Sequence, residues 1–75
     1  MQSQKMQLKS KRADQIKVGD WVIFMPILGT ASQITNIKDI LSSEEGMNRV
    51  GLDTDGLVDN SGWEPWRMFT VIETN

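Results

Sequence analysis

The stretch DTDGLVDN sets Asp53, Asp55 and Asp59 within seven positions, a spacing that first suggests a hard cation held by carboxylate oxygens. The full calcium loop needs a third ligand ahead of its glycine and a glutamate at its end, and neither is present. A hairpin turn accounts for the same residues better, so no metal site is expected. The chain contains no histidine and no cysteine. Their absence removes the commonest general base, the commonest transition-metal ligand, thiolate zinc sites and cysteine nucleophiles. Serine and threonine hydroxyls therefore have no imidazole to activate them, and no glycine-rich phosphate loop occurs. The expectation is a protein that is not an enzyme and carries no cofactor.

What remains is contact chemistry. NSGWEPWRMF places Trp63 and Trp66 three positions apart around Pro65, and an eight-residue apolar run, WVIFMPIL, contains Trp21, Met25, Ile27 and Leu28. If WEPWR forms one turn of 3₁₀ helix, the two indoles stack on one side. Each buries about 150–250 Å² when fully covered, so one of the pair is expected to plug the core. The other is free to grip a partner. Methionine adapts to irregular surfaces, and an apolar tip often marks a protein interface. Trp21, Met25, Ile27, Leu28, Trp63 and Trp66 are thus the candidate partner-binding residues. The competing role for Ile27 and Leu28 is to fold back over the core.

Charge is unevenly distributed. Residues 1–17 hold five bases, Lys5, Lys9, Lys11, Arg12 and Lys17, against Asp14, for a net +4, whereas residues 18–75 hold three bases against nine acids, for a net −6. Lys5, Lys9, Lys11 and Arg12 could reach phosphates from a polar tail, 1–12, read as a flexible basic N-terminal arm. The body would repel a phosphate backbone, and phosphate neutralisation supplies most nucleic-acid affinity.

The elements that must position these groups are short. At 75 residues the chain makes one small domain, assigned to 13–75. Ile16 and Val18 lead to a Gly19-Asp20 turn, and Trp21 to Met25 form a strand that Pro26 ends. Residues 30–40 form a second strand and 41–48 a loop. Val50 and Leu52 alternate on a third, DTDG turns the chain, Leu57 and Val58 begin a fourth, and Phe69, Val71 and Ile72 lie on the last. The apolar run is too short to span a membrane and the basic N-terminus has no hydrophobic stretch behind it, so a cytoplasmic setting is expected.

This order of strands, with GDWV (19–22) at the start and a helical turn before the last strand, resembles the SH3-like small barrels, a superfamily that includes KOW, Tudor and SH3 modules. The resemblance implies an all-β, five-stranded SH3-like barrel over roughly 16–73, with a short 3₁₀ turn before the last strand. Within the KOW pattern, GDWV matches the first half, while in GTASQI (29–34) Ser32 stands where a second glycine is expected and the intervening loop is shorter and uncharged. In SH3 and Tudor relatives, aromatics near the helical turn form ligand surfaces, and Trp21, Trp63 and Trp66 would occupy that region here. Tyrosine is absent, so the tyrosine-rich grooves of those relatives have no match. The resulting expectation is a non-catalytic protein-interaction module or small regulator, phage- or prophage-type accessory proteins included. The alternatives are a KOW-like transcription or translation accessory that binds nucleic acid through its arm, and a structural subunit of a larger assembly. An oligomer using the same apolar surface is a further variant.

Overall fold

The computed structural model describes residues 6–25, 29–42 and 46–74. Five strands run in the order β1 (Met6–Arg12), β2 (Trp21–Met25), β3 (Thr30–Ser42), β4 (Met47–Thr54) and β5 (Met68–Thr74), with a 3₁₀ turn at Ala13–Gln15. They form one antiparallel sheet of order β1-β5-β2-β3-β4. The fold is all-β, as expected. The sheet does not close on itself: β1 and β4 are its edge strands.

β3 is the strand that bends the sheet. Its first residues pair with β2, through Trp21↔Gln33 and Ile23↔Ala31, and its remainder pairs with β4. The register shifts between Ile34 and Asn36, leaving Thr35 as an extra residue. Such a bulge bends a strand and sharpens its twist. The curved sheet then gathers Val22, Ile34, Val50, Leu52, Phe69 and Val71 into one buried cluster with Ala13 and Ile16. Phe24, Ile37 and Trp63 pack against it.

Residues 6–12 depart from the expected flexible arm. They are strand β1, paired with β5 along its whole length from Met6↔Thr74 to Arg12↔Met68. The lysines lie over carboxylates of the same protein, Lys9 still exposed and Lys11 half-buried. Lys9 Nζ lies 3.0 Å from Glu73 and Lys11 Nζ lies 3.2 Å from Asp20, so the acidic body that follows supplies the partners. An exposed pair such as Lys9–Glu73 contributes about 0–1 kcal/mol. The continuous backbone ladder is the larger cause.

The turn before the last strand also differs. Residues 64–67 form a single turn closed by the Arg67 N–H donating to the Glu64 carbonyl at 2.9 Å. The 3₁₀ segment among the described residues lies instead at Ala13–Gln15, between β1 and β2. The two segments meet: Ala13 N–H donates to the Arg67 carbonyl at 2.8 Å, and Asp14 N–H to the Pro65 carbonyl at 3.1 Å.

Candidate functional site

The two-residue turn Asp55-Gly56 reverses the chain after β4, with Thr54 and Leu57 exchanging backbone hydrogen bonds at 3.0 and 3.1 Å. Gly56 takes φ +81° there, a conformation that costs glycine little. The expected return strand shrinks to this one bridge, and the chain then bows away from β4 before touching it again at Trp63. Val50 and Trp63 exchange backbone bonds of 2.8 and 2.9 Å.

Between those two contacts the outer edge of β4 would be left open at Leu52. Asp59 fills the gap. Its Oδ2 accepts the Leu52 N–H at 3.0 Å, while Oδ1 accepts the N–H groups of Ser61 at 3.1 Å and Gly62 at 2.8 Å. Asp53 locks the same segment from the other side. Its Oδ1 accepts the Asp59 N–H at 2.8 Å, and its Oδ2 accepts Asn36 Nδ2 at 3.1 Å and Lys38 Nζ at 3.3 Å. Two of the three aspartates that suggested calcium, Asp53 and Asp59, are thus engaged with backbone, Asn36 and Lys38. Among the described residues no cluster of three acidic, histidine or cysteine side chains is placed to hold a metal.

The hydrogen bond from Asp59, helped by those from Asn36 and Lys38, holds the Asp53 carboxyl below its ordinary pKa of 3.8. A depressed carboxylate stabilises the fold above its unfolded pKa, and that contribution is lost as pH falls through the folded value. Thermal unfolding followed from pH 5 to pH 2 should show a melting temperature that declines below about pH 4. Asp53→Asn should start from a lower value and decline less steeply. An unchanged acid limb in the variant would exclude this role.

The bowed segment leaves an apolar groove of about 550 Å³. Phe24, Leu52 and Trp63 line it from the core side, and Met25, Leu57 and Val58 form its exposed rim. The aromatic floor is itself ordered. Trp63 meets Phe69 edge-on at 5.0 Å and stacks with Phe24 at 6.1 Å, and Phe24 meets Phe69 edge-on at 5.4 Å. The Arg67 guanidinium lies 5.7 Å from the Trp63 ring centre.

The candidate partner residues are therefore divided among three places. Trp63 and Met25 share the groove. Trp66 lies outside it on the 64–67 turn and is 53% exposed, so the two tryptophans do not stack. The reason is local: Trp63 precedes the turn and is held extended by its bridge to Val50. Trp21 projects from the opposite face of the sheet, in register with Ile72. Ile27 and Leu28 lie outside the described residues, as does Lys5. Lys9, Lys11 and Arg12 lie along β1, each within 3.2 Å of a carboxylate oxygen. Sequence reasoning missed Phe24, Leu57 and Val58 as groove residues. The signal was the apolar Leu57-Val58 pair caught between the DTDG turn and a polar DNS, a segment with too few apolar neighbours to be a core strand.

No helix among the described residues is long and apolar enough to cross a membrane. Compared with protein-family models, with curated proteins and with solved structures, the chain matches none.

Proposed function

We propose that this chain is a non-catalytic interaction module that takes a bulky apolar side chain of a partner protein into the groove between Phe24 and Val58. The observation that carries the reading is a cleft of about 550 Å³ whose floor is the domain's own aromatic core and whose rim is exposed Met25, Leu57 and Val58. Pockets of roughly 300–1,000 Å³, mostly apolar with a few polar groups, are the size of small-molecule sites, which leaves room here for a bulky apolar side chain. Asp59 is the charged residue on the wall, and Ser32, Thr54, Asn60 and Ser61 are the polar ones. An apolar anchor with a neutral or basic flank suits that lining, and an acidic flank would be repelled. On this reading the domain is an SH3-like barrel variant of the reducing cytoplasm. Its ring is completed by the 63–67 segment, which hydrogen-bonds to β4 at one end and to Ala13 and Asp14 at the other.

The nucleic-acid alternative is weakened by the ion pairs of β1, since each lysine or arginine bound to a carboxylate releases less on meeting a phosphate. The two readings separate in one experiment. Pull-downs from cell lysate with the full chain, with and without nuclease, should retain a protein partner after nuclease and at moderate salt. Val58→Glu, at an exposed rim position, should remain folded by circular dichroism and lose that partner. A partner lost with nuclease, or one indifferent to Val58→Glu, would overturn the proposal.

A further inference from the structure

The groove uses the inner, core-side face of the sheet. The outer face carries an exposed apolar row as well, beside the polar Ser10, Thr70 and Gln33. Because β1 pairs with β5 at Leu8↔Ile72 and β2 pairs with β5 at Trp21↔Ile72, these three side chains form one row across three strands. Met6 and Met68 lie on the same face of β1 and β5, and Ile23 and Ala31 pair on that face of β2 and β3. Leu8 is 67% exposed, Met6 68%, Met68 53% and Trp21 46%. An antiparallel sheet with one buried face ordinarily alternates apolar and polar residues. β2, WVIFM, does not alternate, and reads as a strand covered on both sides.

We infer that a second copy of this chain covers that face, giving a two-fold dimer of sheets packed face to face. Charge is the first reason. A two-fold contact sets a surface against itself, so any net charge on it meets its own sign. Lys9, Lys11 and Glu73 fall on the other parity of β1 and β5, with Val71 and Phe69. On β1 and β5 the outer face carries one charged side chain, Arg12, at the end of β1, where Asp14 neutralises it at 2.9 Å, and Asp55 stands at the far rim of the face, in the hollow beside Trp21 and Gln33. A chain that is −6 over residues 18–75 nevertheless presents a nearly neutral face.

Area is the second reason. Four strands spaced about 4.8 Å apart, with a rise of about 3.3 Å over seven residues, make a patch of roughly 20 by 23 Å. With side-chain relief, two such patches bury on the order of 1,000–1,300 Å², at the lower bound for a specific interface. That predicts a weak, concentration-dependent dimer. It also suits a domain whose core cluster holds eight buried apolar residues among the described ones, since small cores commonly need association.

Sedimentation velocity on the full chain, from about 1 μM to about 1 mM, should show a monomer–dimer equilibrium, and the melting temperature should rise with concentration. Leu8→Glu and Met68→Glu, both at exposed positions, should remain folded by circular dichroism. Each should weaken the dimer by about 100-fold, because like charges would face each other across the two-fold. Val58→Glu, on the other face, should leave dimerisation unchanged, so the dimer and the groove are tested separately. A wild-type chain that is monomeric at about 1 mM, as it would be if a different protein covered this face, would overturn the inference. So would a dimer that survives both outer-face variants, or one dissolved by Val58→Glu.

Discussion

Trp63→Ala is expected to leave most of the chain unfolded at 37 °C, while Trp66→Ala changes stability by less than about 0.5 kcal/mol. The two residues have the same type and lie three positions apart, so the contrast rests on environment. Trp63 touches both Phe24 and Phe69, receives Arg67 over its ring, and packs on the buried cluster. Removing a core aromatic costs about 3–5 kcal/mol. The Trp63 ring is only partly buried, which favours the lower end, but the lost ring contacts add to it. A domain of this size holds a net stability of about 3–5 kcal/mol. The substitution therefore removes most of the margin, and at about 4–8 °C per kcal/mol the melting temperature should drop by at least about 12 °C. Trp66 is more than half exposed. Thermal melts of the two variants beside the wild type check this directly. Equal losses would mean that Trp66 carries packing the structure does not show.

The same contrast explains what could be read from residues alone. Strand β2 was legible because WVIFM combines bulky, β-favouring residues with a proline stop, and β3 and β4 because their apolar residues recur between turn signals. That one tryptophan would plug the core was legible from size and composition. Which one was not. The choice depends on Trp63 exchanging backbone bonds with Val50, a contact between residues 13 apart that no local pattern announces. Strand β1 was missed for a related reason. Met6, Leu8 and Ser10 do alternate with Gln7, Lys9 and Lys11, but a polar segment near a chain end orders only when a partner strand exists, and its partner lies some 60 residues away. The groove was illegible because it is a departure from regular pairing: it exists where 57–63 leaves the edge of β4.

That departure is held open by two carboxylates, Asp53 and Asp59, and Asp59→Ala, which removes the one inside the bow, should be strongly damaging. The edge of β4 offers outward N–H groups at Val50, Leu52 and Thr54. The first and last find the backbone carbonyls of Trp63 and Leu57, and the middle one finds Asp59. The same side chain turns the chain by accepting from Ser61 and Gly62. Gly62 has little freedom to adjust: its φ is +74°, and a Cβ built on it would lie 2.8 Å from Arg49 Cβ. Alanine in place of Asp59 leaves three donors without their acceptor. A buried donor left unsatisfied costs about 1–3 kcal/mol, and water can reach the Ser61 end, so a total of about 2–4 kcal/mol is expected. The Asp59→Asn variant keeps one acceptor oxygen for the Ser61 and Gly62 pair but sets an amide NH₂ against the Leu52 N–H, and should fall between wild type and alanine. Urea denaturation of the three proteins gives the order. Hydrogen exchange at the Leu52 amide separates the mechanism from general loosening: in Asp59→Asn that amide should lose protection while Val50 and Thr54 keep theirs. If Leu52 stays as protected as its neighbours, the carboxylate is not the strut that shapes the groove.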